Sequence, residues 1–267
     1  MKLSGKTAFV TGARGGIGRA IVARFLREGA VVHAADLPGS GPDGAQEDGS
    51  RFVGVDVASE ADVAAAMAEV RERSGKLDVL VNAAGIELEK TIEDTTLEEW
   101  NRSFAVNVTG TFLTCKHALP LLRAAVAGAG DGETTASVVN FGSYDGFLAD
   151  PGLAAYCATK GAVHALTRAM ACDHGPEGVR VNAVCPGYID TPMLQSFFDG
   201  AGSGGDGRSI EQLQDAVRGV HPTRRYGTPT DIANLVNWLA SDEAAYASGQ
   251  LWVLDGGMSA QAQQMRL

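Results

Sequence analysis

The chain has 267 residues, 45% of them hydrophobic and 20% charged, with a formal net charge of -10. That suits one α/β domain with a sizeable core and argues against a nucleic-acid partner, whose phosphates must be neutralised by Lys and Arg. No apolar run is long enough to span a membrane. The opening residues enter a strand too early for a signal peptide, and the scattered Cys115, Cys157, Cys172 and Cys185 form no C-x-x-C pair. A cytoplasmic protein with reduced thiols and no metal site is expected.

In chain order, Lys6–Thr11 (KTAFVT) reads as a strand and Gly16–Glu28 as a helix. Ala30–Asp36 and Phe52–Asp56 read as the next two strands. Between them Pro38–Ser50 is rich in Pro, Gly and Asp and is predicted to be a loop where a crossover helix would otherwise stand. Ser59–Ser74 is an Ala-rich helix opened by a Ser59-to-Asp62 cap, and Asp78–Asn82 is a fourth strand. A long helix over Leu97–Val126 is expected to bend near Pro120. Ser137–Phe141, the helix Leu153–His174, Arg180–Cys185, the helix Pro229–Ala240 and Leu251–Leu254 complete the order. An insertion, about 188–226, separates the sixth strand from the next helix and contains the Gly-rich stretch Gly200–Gly207. The alternation predicts an α/β fold: one Rossmann-type domain over 1–267, with a doubly wound parallel sheet of about seven strands and helices on both faces.

Thr11-Gly12-Ala13-Arg14-Gly15-Gly16-Ile17-Gly18 lies between the first strand and the first helix. Gly12 permits a tight turn, Gly16 lets backbone approach a pyrophosphate, and Gly18 lets helix and strand pack closely. Ile17 follows in the same turn, and the helix N-terminus offers free N–H groups to the anion. Asp36, eighteen residues past Gly18, stands where a carboxylate hydrogen-bonds both ribose hydroxyls of NAD and repels the 2′-phosphate of NADP. Its plainer reading is a turn-forming Asp before Leu37-Pro38. Arg14 pulls the other way, being placed to reach a 2′-phosphate. NAD is favoured over NADP. Asp56 and Val57 either hold the adenine edge or cap a loop after the third strand.

Across nearly its full length the chain resembles the short-chain dehydrogenase/reductase family. TGARGGIG matches that family's T-G-x-x-x-G-x-G turn. Asn82-Ala83-Ala84-Gly85 matches N-N-A-G, with Ala83 in place of the second Asn and a sheet-stabilising side-chain hydrogen bond expected to be lost. Asn107-Val108-Thr109-Gly110 matches N-V-x-G, and Ser143 with Tyr156-Cys157-Ala158-Thr159-Lys160 matches S-x(12)-Y-x-x-x-K. Pro186, Gly187, Ile189 and Thr191 fall in the segment that covers the nicotinamide in the family. Thr191 reads equally as a helix cap. The resemblance implies catalysis by Asn107, Ser143, Tyr156 and Lys160, with Lys160 also binding the nicotinamide ribose and Asn107 holding a water in a proton relay.

Tyr156 and Lys160, four residues apart on a predicted helix, share one face. Alone, such a pair is usually a surface contact. With Ser143 and the glycine turn in register it reads as an acid/base centre, the ammonium being expected to lower a phenol pKa of roughly 10. The substrate pocket is expected to draw on Asp145, Phe147, Leu148, Tyr188, Met193, Leu194, Phe197 and Phe198, mostly apolar or aromatic, suiting a small apolar or cyclic alcohol or ketone. Phe197 and Phe198 read equally as packing for a lid helix. Glu87 and Glu89 follow the NAAG turn and are candidates to face the mouth. The resemblance implies a homotetramer. The competing functions are an NADPH-dependent 3-oxoacyl-carrier-protein reductase, against which Asp36 counts, and a non-catalytic dinucleotide sensor, which would not need both Tyr156 and Lys160. His117, His164, His174 and His221 show no metal spacing and read as ordinary helix or loop residues.

Overall fold

In a computed structural model the residues described are 1–129, 135–202 and 209–261. The strands are β1 (Thr7–Thr11), β2 (Val31–Asp36), β3 (Gly44–Ala45), β4 (Arg51–Gly54), β5 (Val79–Asn82), β6 (Ala136–Phe141), β7 (Val179–Pro186) and β8 (Leu251–Leu254). They form one sheet in the order β3-β4-β2-β1-β5-β6-β7-β8, parallel except for β3. The expected doubly wound α/β sheet is present, with eight strands rather than about seven. The extra one lies in the 38–50 segment, where Gln46 and Ser50 close a turn (2.8 Å) that Asp48 caps, folding two residues back onto β4.

Both faces of the sheet are buried, and the pleat divides them. Val10, Val81, Val139 and Val184 point to one side. There they meet Ile21 and Phe25 of α1 (Gly16–Arg27) and Ile232, Val236 and Leu239 of α8 (Pro229–Ala240). Phe9, Leu80, Val138 and Val181 point to the other. Against them pack α2 (Glu60–Ser74), α4 (Gly110–Ala129) and α5 (Ala154–His174), through Val63, Leu113, Leu121 and Met170. Near-continuous apolar strands require this double cover.

The long helix departs from expectation. It runs as α3 (Leu97–Phe104), a π-helical turn over Ala105–Thr109, and α4, with Pro120 inside α4. The irregular turn therefore falls at 105–109, around Asn107, and not at Pro120. The insertion holds α6 (Pro192–Gly202) and α7 (Ile210–Val220), joined through the small apolar cluster of Leu194, Phe198 and Leu213. Most of the Gly-rich stretch, 203–207, and the end of the tail, 262–267, lie outside the described residues.

Strand order places the site. The chain leaves β1 toward β2, then crosses back to β5 on β1's other side. The crevice at the carboxyl ends of β1 and β5 is where such sheets bind ligands. A ladder of buried side chains sets the floor beneath it. Thr114 Oγ1 donates to Asn82 Oδ1 (2.6 Å), Asn82 Nδ2 to Asn140 Oδ1 (2.9 Å), and Asn140 Nδ2 to Thr167 Oγ1 (3.0 Å). Thr11 Oγ1 accepts from Ala84 N (3.1 Å), so the turn that carries Ala83 keeps a side-chain tie to β1.

Candidate active site

The glycine turn is built for close backbone approach. Gly12 has φ +63°, and a Cβ there would lie 2.7 Å from the Ala83 carbonyl oxygen. A Cβ on Gly16 would stand 3.0 Å from the Thr191 methyl, and one on Gly18 would collide with the Gly12 carbonyl. No side chain caps α1, which leaves its first-turn N–H groups facing outward with a positive dipole end. Asp36, at the end of β2, accepts from Arg14 N on one oxygen and Leu37 N on the other (2.8 Å each). A carboxylate has about four lone-pair sites, so both oxygens can still accept from ribose hydroxyls. The Arg14 guanidinium turns under the 38–50 segment, 4.3 Å from the centre of the Phe52 ring and 3.5 Å from Gln46 Oε1. Asp56 Oδ1 caps its own loop through Ala58 N (2.9 Å), and Val57 is buried against Gly110. The turn, the open helix end and Asp36 fit a dinucleotide.

A cavity of about 330 Å³ continues from this turn. Ile17, Ala83 and Gly85 line it, together with Pro186, Gly187, Ile189 and Thr191. Ser143, Tyr156 and Lys160 line the same cavity. Ser143 follows β6 and caps the short turn Tyr144–Gly146. Its hydroxyl donates to Asp145 Oδ2 (3.1 Å) and accepts from Asp145 N (3.2 Å). Tyr156 and Lys160 sit one turn apart on α5, with the ammonium 5.3 Å from the phenol ring centre and donating to the Phe141 carbonyl (2.9 Å). Burial holds Lys160 down at about 8, against the pull of Cys185, Glu87 and Asp145.

The phenol itself does not behave as the Tyr–Lys spacing suggests. Burial, then the negative charges of Glu87 and Asp145, push the Tyr156 pKa up, and the nearby Ser143 hydroxyl pulls it partly back. The lowering expected from Lys160 is not seen, because burial, reinforced by acids from two other segments, disfavours the phenolate. Burial and neighbouring carboxylates likewise raise Glu87 to about 7 and Asp145 to about 6.

Asn107 closes a pair of hydrogen bonds with Ile86, accepting from its N–H and donating to its carbonyl (2.8 Å each), and donates to Thr159 Oγ1 (3.1 Å). Its amide is thus engaged in holding the 82–86 wall. Of the expected pocket residues, Asp145, Tyr188, Met193, Leu194 and Phe197 line the cavity, as do Glu87 and Glu89. Phe147 and Leu148 do not. Phe147 is 51% exposed and lies outside the cavity, its ring 4.4 Å from that of His164, because the turn after Ser143 carries it away from the crevice. The two insertion phenylalanines divide. Phe197 lines the cavity, and Phe198 is fully buried between α6 and α7. Thr191 Oγ1 accepts from Leu194 N (3.4 Å), a cap for α6.

Sequence reasoning missed Tyr144 and Asp150. Asp150 accepts from both the Tyr144 and Tyr188 hydroxyls, the latter at 2.6 Å, and so ties the turn after Ser143 to the start of the insertion. It also missed the place of His164, whose Nε2 meets Ser143 N (3.5 Å) and Cys185 Sγ (3.2 Å). Its four-residue step from Lys160 was the available signal.

A family model described as Enoyl-(Acyl carrier protein) reductase matches residues 12–259. The chain belongs to the short-chain dehydrogenase/reductase family. Members of this family use nicotinamide dinucleotides, in keeping with the glycine turn. Among similar proteins, 2-(S)-hydroxypropyl-CoM dehydrogenase 3 of Xanthobacter autotrophicus is 39% identical over 97% of this chain and 98% of its own. The NADP-dependent (R)-specific alcohol dehydrogenase of Lentilactobacillus kefiri is 38% identical over 97% and 99%. Ligand-free aldohexose dehydrogenase of Thermoplasma acidophilum superimposes with a TM-score of 0.86 at 33% identity, covering 99% of this chain and 98% of that one.

Proposed function

We propose that this chain is an NAD(H)-dependent oxidoreductase that interconverts a secondary alcohol and a ketone. The observation that carries the reading is the convergence of Ser143, Tyr156 and Lys160 on one cavity continuous with the glycine turn. Relatives named as alcohol and hydroxypropyl-CoM dehydrogenases support the reaction class.

The dinucleotide, when bound, supplies the hydride acceptor or donor. The chain's own residues handle the oxygen and its proton. Ser143 positions the substrate oxygen beside Tyr156, which takes the hydroxyl proton in oxidation and returns it in reduction. With its pKa raised, Tyr156 rests as the neutral phenol, the form that donates a proton to a ketone. Lys160 places an ammonium beside it and opposes that rise when the phenol must act as base. Asn107 keeps the facing wall at Ile86 in register.

Asp36 supports NAD over NADP, since a carboxylate fixed there repels a 2′-phosphate. The engagement of Arg14 with Phe52 supports the same preference. A homotetramer in the cytoplasm, with no nucleic-acid or membrane partner, completes the proposal. Among the described residues no helix is long and apolar enough to cross a membrane.

Fluorescence titration with NADH and NADPH side by side tests the cofactor assignment. Wild type is expected to bind NADH at least about tenfold more tightly, a difference of roughly 1.4 kcal/mol. Asp36→Ala is expected to weaken NADH and narrow that gap. Tight NADPH binding by wild type would instead favour the carrier-protein reductase reading.

A further inference from the structure

The carboxylates that line the cavity differ in what already satisfies them. Asp150 accepts from Tyr144 and Tyr188, and Asp145 from the Ser143 hydroxyl and Asp150 N. Glu87 and Glu89 accept no hydrogen bond from the described residues; Glu89 is exposed, whereas Glu87 is half-buried in the lining. It is also held in place. Ile86, its chain neighbour, is clamped at both backbone groups by Asn107, and a Cβ on Gly85 would lie 3.8 Å from Lys160 Nζ. Glu87 thus lines the cavity from a fixed stretch of backbone beside the reacting centre. Among the described residues Lys160 is the one cation in the lining, and it already donates to Phe141.

We infer that Glu87 determines substrate class: the cavity takes secondary alcohols that carry a second hydrogen-bond donor, a hydroxyl or an ammonium, near the reacting carbon, and turns away anions. The inference rests on the function proposed above. A carboxylate that faces the cavity with no donor from the chain has its acceptor sites open to a ligand hydroxyl or ammonium, and hydrogen bonds to a charged group are the stronger ones. A substrate carboxylate in the cavity would face both Glu87 and Asp145, and like charges beside a protein wall repel more strongly than in bulk water. The apolar pocket expected from the sequence therefore has one acidic wall.

The test is a matched series in which only one group changes: butan-2-ol, propane-1,2-diol, 1-amino-2-propanol and 3-hydroxybutyrate. Each is assayed for NAD-linked oxidation and for the thermal shift it gives the cofactor-loaded protein. The diol or the amino alcohol should exceed butan-2-ol at least about tenfold in kcat/KM, with hydroxybutyrate poorest. Glu87→Ala should bring the donor-to-butanol ratio toward one. Glu87→Gln should keep the advantage of the diol, lose that of the amine and admit hydroxybutyrate. An equal or better butan-2-ol, or a ratio unchanged in Glu87→Ala, overturns the inference and leaves the alcohol dehydrogenase reading standing. Absence of turnover with all four contradicts that reading instead, and the thermal shifts then decide the inference. Shifts given by the donor-bearing compounds and lost in Glu87→Ala uphold it, and any other pattern overturns it.

Discussion

Glu87 carries a burden that pH can reveal. Its carboxyl titrates near 7 in the folded chain against an ordinary 4.5, because burial and the charges of Glu89 and Asp145 disfavour ionisation. Between those two values the native state holds a proton that the unfolded chain has released. Stability from this group therefore falls as pH rises through that window. In Glu87→Gln that loss is absent, so the variant should gain melting temperature over wild type above about pH 7 and match it below about pH 4.5. Thermal unfolding across the pH range checks this, and a constant difference at every pH would rule out burial of the charge as its cause. The same residue marks a limit of sequence reading. Tyr156 and Lys160 were legible from four-residue spacing, Ser143 from its offset, and Glu87 as a candidate at the mouth. The direction of the Tyr156 pKa was not, because it is set first by burial and then by acids from segments far apart in the chain, both of which arise only on folding.

At the scale of elements, the regular helices and strands followed from period and capping. α8 and β8 stand within the predicted bounds, and the Ser59 hydroxyl accepts from Asp62 N as expected. The π-helical turn at 105–109 was not legible, since tertiary hydrogen bonds from Asn107 to Ile86 define the site and intrinsic propensity does not encode them. The 38–50 segment was read as a loop for sound compositional reasons, and only local turn bonds make two of its residues a strand. The ladder from α4 through β5 and β6 to α5 was equally hidden, because Thr114, Asn82, Asn140 and Thr167 meet only after folding. Asn140→Ala leaves the Asn82 amide and the Thr167 hydroxyl short of a buried partner. It should cost about 1–3 kcal/mol by denaturant unfolding, and a loss below about 0.5 kcal/mol would show that the ladder is incidental.

Across the whole molecule, the order of strands brings distant motifs to one crevice. β1 supplies the glycine turn, β2 Asp36, β5 the wall to Glu87, and β6 Ser143, while α5 supplies Tyr156 and Lys160. That convergence was expected from the alternating pattern, because a doubly wound sheet reverses its strand order at one place only. The insertion was legible as a cover for the cavity through Tyr188, Met193 and Phe197. Its division into a packing residue, Phe198, and a lining residue, Phe197, was not, because neighbouring positions on a helix point apart only relative to what they meet.

The central claim is that Tyr156 moves the proton while the rest of the cavity binds. The measurement that tests it most directly is turnover by Tyr156→Phe with the best alcohol of the matched series, alongside NADH titration of the same variant. Loss of about 10²-fold or more in kcat, with NADH affinity within about twofold of wild type, is the predicted result. Turnover near the wild-type rate would contradict the account, since a ring without its hydroxyl has no proton to take or give.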